Sequence, residues 1–497
     1  MLFNSYHFLI FFPIVVLGYY VIPKRIRTLW LLIASYYFYM SWNPKYVVII
    51  VLCTVVTWLG GILLATADET GRGERYRKLI LFGCCVVTLG VLVFFKYFPF
   101  LWESIGSLAG YCGVRITELP FSLVLPVGIS FYTFQALSYT IDVYRRKIPV
   151  QKNLIEYALF VSFFPQLVAG PIERSENLLS QIQGMGKIEV RWREIRNGLV
   201  YMLYGFFLKM VLADNLAVYV DSIFERYFFY GSVELILAAV GFAFQIYCDF
   251  SSYSAIAIGA AQVMGFRLME NFHAPYFATS IQDFWRRWHI SLSSWFKDYL
   301  YIPLGGNRCS KLRYYCNLMI TFLVSGLWHG ANWTFVVWGG IHGAYQIVGQ
   351  ILRPIKRKVY PLLGINLNGT CYRIAQVVCT FFLTTFAWIF FRADSIKDAY
   401  LYIAGIFTKW DFWVLTDGSL KNIGFYNGVE WVVVISGLLV LLFVDVILYR
   451  RHLRIDEFLE KQGIFFVMAT VFLFITSIAV FGNYGGYEAN AFIYFQF

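Results

Sequence analysis

Charge is what this sequence has least of. Only 14% of its 497 residues are Asp, Glu, Lys or Arg, against about 25% in a soluble chain. So few charges cannot coat a water-soluble globule of this size. The apolar residues, 59% of the total, come in long blocks rather than at amphipathic spacing. Also absent is any Cys-x-x-Cys pair, although the chain has nine cysteines, most of them inside apolar blocks. They read as small buried hydrophobes rather than redox or zinc ligands. No two histidines stand at His-x-x-x-His spacing, and no carboxylate lies within a turn of His329, so no metal site is expected. A Gly-x-Ser-x-Gly elbow is missing too, which removes the signature of a serine hydrolase. The formal charge of +12 is spread over short clusters. With no basic stripe long enough to follow a phosphate backbone, a nucleic-acid partner is excluded.

What is present is a series of membrane-spanning candidates. Val47–Ala65, Leu79–Phe95, Gly198–Leu212, Leu235–Met264, Val377–Phe391, Val429–Val444 and Ile464–Phe481 are apolar blocks. A helix crosses a bilayer with about 20 mainly apolar residues, and most of these blocks reach that length with their flanking aromatics. Shorter candidates bring the expectation for an all-α polytopic membrane protein to roughly ten to twelve transmembrane or re-entrant helices. Met1–Val21 is apolar and is followed, not preceded, by Lys24, Arg25 and Arg27. That order is wrong for a signal peptide and predicts a retained first helix.

Lys and Arg clusters at 24–27, 72–78, 145–152, 187–196, 353–358 and 450–454 are expected in the cytoplasm. The intervening 102–120, 219–232 and 410–428 hold one such residue each and are expected outside. The alternation places the tail 482–497, which has no Lys or Arg, on the extracytoplasmic side. No internal repeat of the inverted-transporter kind is apparent, and residues 1–497 are expected to form a single membrane-embedded domain.

The segment 265–313 breaks this pattern, being too polar to span and too aromatic for a plain loop. Over Ile281–Lys297 the residues Ile281, Trp285, Trp288, Leu292, Trp295 and Phe296 share one helical face, with His289 at its border. The spacing predicts an amphipathic helix at the cytoplasmic interface. Its cations suit either an interfacial anchor or a vestibule that receives the phosphates of a cytosolic donor. Next, Ser325–Trp333 reads SGLWHGANW and sets His329 among glycines inside an apolar stretch. A polar residue there points to function, and histidine is the natural general base near neutral pH. A structural histidine bonded to a nearby carbonyl is the alternative, and it is the preferred reading for His342. Asp249, inside Leu235–Met264, is expected to pair with an arginine or to accept from Ser251 and Ser252, a structural role ahead of a catalytic one.

FWRRWHISLSSWFKDYLYIPLGGN and SGLWHGANWTFVVWGGIHG closely resemble the membrane-bound O-acyltransferase family. The branch resembled is the bacterial one that includes the alginate O-acetylation protein and the peptidoglycan O-acetyltransferases. The opening MLFNSYHFLIFF and the ending FIYFQF resemble that branch as well, so the likeness runs along most of the chain. The sequence departs from it at Cys248–Ala255, CDFSSYSA, where relatives read F-D-F-S-G-Y-S-D; Ala255 replaces a carboxylate and inherits no role. His273, in ENFHAPY, is a less usual choice and is assigned none.

The resemblance implies a buried funnel or tunnel with His329 as catalytic base and His289 as a second active-site residue. Trp328, Asn332 and Asp298 are expected to line the site, and Arg286, Arg287 and Lys297 to receive the phosphates of acetyl-CoA, with no bound cofactor. Tyr494, in the ending F-x-Y-x-x-F, resembles the tyrosine that ends the companion peptide of the teichoic-acid D-alanylation system. It is a candidate acyl carrier, or else an aromatic interface anchor. The implied activity is O-acetylation of an extracytoplasmic polysaccharide from the bacterial inner membrane, completed by a peripheral acyltransferase of the SGNH type. The rival readings are D-alanyl-type transfer from a carrier protein, and a transporter or channel, for which the chain offers Asp249 but no matched halves.

Overall fold

The structure is a computed structural model of the chain. It describes every residue except 115, 116, 118, 120–122, 169, 188–190, 424–427, 485–491 and 494–497. Among the described residues the regular structure is entirely helical. Seven helices among the described residues are long and apolar enough to cross a membrane: Pro44–Glu69, Glu74–Tyr111, Trp192–Phe224, Ser232–Val263, Thr370–Arg392, Gly428–Arg451 and Ile464–Phe481. Each coincides with one of the seven apolar blocks of the sequence. Ile464–Phe481 is the extreme case. Only Phe474 in it is buried, while Phe465 and Phe472 are 86% and 70% exposed. In water that surface would aggregate; against acyl chains it needs no cover. Ser232–Val263, by contrast, is mostly buried within the protein.

The chain packs as two compact units, Met1–Leu199 with Ala257–Met269, and Val200–Ile256 with Glu270–Phe497. The first is built on the helix Ile129–Tyr144, buried on nearly every side and packed against Val47–Glu69 and Glu74–Leu92. Small residues permit the approach: a methyl at Gly60 would strike the Cys84 sulfur, and one at Gly61 the Tyr139 ring. At one end of these helices the basic stretches 72–78 and 145–152 meet. Arg146 donates to Asp68 at 2.7 Å, and Arg77 donates to the Tyr144 carbonyl at 2.5 Å.

The second unit contains the segment rich in motifs. Lys311–His329 and Trp333–Leu362 form a helical hairpin. A methyl at Gly326 would strike the Phe335 carbonyl, and one at Gly339 the Phe322 carbonyl, so the two backbones touch there. The helix expected over Ile281–Lys297 is not continuous. Ile281–Arg287 and Ile290–Phe296 are separate, and His289 between them takes a left-handed φ of 44°, costly for a residue with a Cβ. Packing overrides the periodicity. The two residues at the break, Trp288 and His289, are both completely buried.

Gly339→Ala should therefore cost about 1–3 kcal/mol by overpacking, read as a lower melting temperature of the detergent-solubilised protein. Gly349→Ala, on the same helix but with nothing within 4 Å of the added methyl, should be neutral or slightly stabilising, because alanine is the better helix former.

Candidate active site

His329 is the last residue of Lys311–His329. The turn that follows reverses the chain in three residues, and Asn332 caps the next helix, its Oδ1 accepting from Thr334 N at 3.0 Å. Gly330 fits because a methyl there would strike the Phe335 ring. The imidazole is 3% exposed and stands among Trp328, Trp338 and Phe391, with ring centroids 5.1, 5.0 and 5.5 Å away.

His289 reaches the same place from the helix break. Its ring centroid is 6.2 Å from that of His329, 5.7 Å from Trp328 and 4.6 Å from Phe250. The two imidazoles are thus close enough to flank one reacting group. Asn271 secures the break. Its carbonyl accepts from Ile290 N at 3.0 Å, and its Oδ1 accepts from the Ser291 hydroxyl at 2.6 Å and from Ser291 N at 3.4 Å. Its Nδ2 donates to the Ser254 hydroxyl at 3.0 Å. Sequence reading passed over Asn271; a buried amide beside a helix break carries no local pattern of its own.

The remaining predicted residues divide. Trp328 contacts both histidines. Asn332 is engaged in the cap and donates to the Asp394 carbonyl at 3.1 Å. Asp298 is half-buried in the wide helical turn Lys297–Tyr301. His342 accepts from Trp285 Nε1 at 3.2 Å, the geometry of a structural histidine. Tyr494 lies outside the described residues.

Arg286 and Arg287 line one cavity of about 550 Å³, together with Asp283, Arg373, Gln376 and Tyr449. Arg287 is paired with Asp283 at 2.9 Å and lies over the Tyr449 ring. Arg286 and Arg373 are exposed, and among the described residues neither has an ion-pair partner. Lys297, also exposed, does not line this cavity. Arg373 was not anticipated, because it opens the helix Thr370–Arg392, far from either motif. Beside Arg287, the His273 imidazole is held below its ordinary value by burial first, then by the charges of Arg287 and His452.

Asp249 has a cation partner, but it is Lys209 rather than an arginine, at 2.7 Å. Ser252 donates to the Asp249 backbone carbonyl and Ser251 to that of Cys248, so neither serine hydroxyl serves the carboxylate. Lys209 was overlooked although it stands inside the apolar block Gly198–Leu212, where an ionisable residue is itself a signal.

Paired histidines walled by aromatics, among membrane-spanning helices, are an arrangement suited to general-base chemistry away from bulk water. Known proteins resolve the class. The family model for MBOAT, the membrane-bound O-acyltransferase family, matches residues 34–362. The probable alginate O-acetylase AlgI of Azotobacter vinelandii is 39% identical over 422 residues, 84% of this chain and 80% of its own length. That of Pseudomonas aeruginosa is 39% identical over 424 residues, 85% of this chain and 78% of its own. The peptidoglycan O-acetyltransferase of Helicobacter pylori is 34% identical over 443 residues, 82% of this chain and 80% of its own. The chain belongs to the membrane-bound O-acyltransferase family. It is an O-acetyltransferase, multi-pass in the bacterial inner membrane.

Asn271→Ala removes the side-chain bonds that hold His289 in place. It should lower kcat at least tenfold with the donor KM little changed, since unpaired buried groups cost about 1–3 kcal/mol and displacement of a catalytic group slows the chemistry steeply. Steady-state acetyl transfer by the purified protein measures both constants.

Proposed function

We propose that this enzyme draws acetyl from cytosolic acetyl-CoA and delivers it across the membrane for O-acetylation of an extracytoplasmic polysaccharide, with Tyr494 as the intermediate carrier. The observation that carries this reading is the placement of Phe492 and Ile493. Phe492 and Ile493 are 0% and 3% exposed. The Phe492 ring lies 4.2 Å from that of Tyr253 and 5.8 Å from that of Phe250, and Phe250 is itself a neighbour of His289. Tyr494 is the next residue in the chain. The O-acetylases named above are the relatives that favour acetyl as the group moved.

In this reading the bundle comprises ten to twelve transmembrane or re-entrant helices around a tunnel, within one membrane domain whose tail, 482–497, lies on the outer side. Arg286, Arg287 and Arg373 form the donor end, where guanidinium groups suit phosphates; Lys297 adds charge outside the cavity. His329 takes the proton of the Tyr494 phenol as its oxygen attacks the thioester carbonyl, and His289 orients the reacting group. The C–S bond breaks, and His329 returns the proton to the departing thiolate. The resulting phenyl ester keeps the acetyl reactive, because a phenol of pKa about 10 leaves nearly as readily as a thiol of about 8.5. An SGNH-type acyltransferase on the outer side then accepts the acetyl, and the phenol regains its proton.

His329→Ala should lower transfer by about 10²–10⁴-fold. After incubation with isotopically labelled acetyl-CoA, mass spectrometry of the C-terminal peptide should find acetyl on Tyr494 in the wild type and none in His329→Ala. Unchanged polysaccharide acetylation in cells carrying Tyr494→Phe would overturn the relay. Arg286→Ala combined with Arg373→Ala should raise the donor KM about tenfold or more, as expected for loss of charge-assisted bonds, with kcat nearly preserved.

A further inference from the structure

The helix Trp192–Phe224 widens to π geometry over Phe207–Ala213, a local change that often marks a functional position. Two things happen there. The Met210 carbonyl accepts from Asn483 N at 2.9 Å, which ties down the start of the C-terminal tail. Lys209 bridges two carboxylates, Asp214 at 2.8 Å and Asp249 at 2.7 Å, with all three side chains 5% exposed or less. Lys209 engages one oxygen of the Asp249 carboxylate, which leaves the second for another donor. The donor it takes comes from the tail: Ile493 N donates to the second Asp249 oxygen at 2.7 Å. Tyr253 closes the arrangement, with Lys209 Nζ 5.8 Å from its ring centroid and the Phe492 ring on the same side chain.

We infer that Lys209 and Asp249 are positioning residues that latch the chain at Ile493, the residue that directly precedes the proposed acyl carrier. A backbone N–H taken out of water needs a partner inside the protein. A carboxylate provides a stronger one than a carbonyl, and Lys209 orients that carboxylate through its other oxygen. Asn483 is held through Met210 and Ile493 through Asp249, so one widened stretch of helix and its ion pair set where both residues lie. Neither residue touches the acetyl group. The catalytic meaning of the latch rests on the reading of Tyr494 as acyl carrier; the docking itself does not.

Hydrogen exchange of the full-length protein in lipid nanodiscs, read on the C-terminal peptide, tests it. The Ile493 amide should be protected in the wild type. In Asp249→Ala its protection should fall ~10- to 100-fold, the range for losing a hydrogen bond to a charged group. Amides elsewhere in Ser232–Val263 should keep theirs. Asp249→Asn, which retains an acceptor without the charge, should fall less and restore part of the activity. Acetyl transfer should follow the same order in kcat with the donor KM unchanged. A merely structural pair would instead lower protection throughout the helix and lose both kinetic constants together. Equal Ile493 protection in wild type and Asp249→Ala, or uniform loss across the helix, would overturn the latch. If Asp249→Ala does not fold, Asp249→Asn and Lys209→Gln carry the same comparison. Tyr494→Phe separates the two ideas: Ile493 should stay protected in it whether or not the relay reading survives.

Discussion

Inside hydrocarbon no water is available to a polar group, so each departure from a regular apolar helix has to bring its own partner. The features that matter here all answer to that constraint. The break before Ile290 is held by Asn271, which spends both its backbone carbonyl and its side chain on it. The end of the helix at His329 is followed at once by the Asn332 cap. Lys209 sits between two aspartates, and Asp445, buried on Gly428–Arg451, accepts from the Tyr247 hydroxyl at 2.8 Å. Regular helices such as Ile464–Phe481 carry lipid-facing surface and no chemistry.

Aromatic packing then sets the surroundings of each histidine. Trp338 touches the rings of His329 and His342, at 5.0 and 4.9 Å, and that of Trp285 at 5.7 Å, and so ties the hairpin to the broken segment. His342 already has Nδ1 engaged by the Trp285 indole. His329 and His289 meet instead across Trp328. Large rings with few rotatable bonds suit such a wall, because they define a position at little entropic cost. The left-handed backbone at His289 is strain held in place by that surrounding packing.

Several elements were legible before any fold was known. The seven apolar blocks mark the seven helices that, among the described residues, are able to cross a membrane, since hydropathy over some twenty residues is a local property. The R-R-W-H-I-S-L-S and W-H-G-A-N-W motifs carried His289 and His329. The helix over Ile281–Lys297 was misread because periodicity records which residues are apolar, not whether the backbone stays straight. Lys209 was missed in plain view, an ionisable residue in an apolar block. Arg373 had no signal near either motif.

The sequence alone determined that the chain lives in a membrane, which family it resembles and which histidines to suspect. Composition and short motifs are sufficient for that. Only the tertiary structure decided that the His289 and His329 rings stand 6.2 Å apart, that Arg373 joins Arg286 and Arg287 at one cavity while Lys297 does not, and that Asp249 answers to Lys209 and Ile493. Those relations join residues far apart in the chain, and they are set by which helices pack together and where their backbones break. No local pattern of residues encodes either.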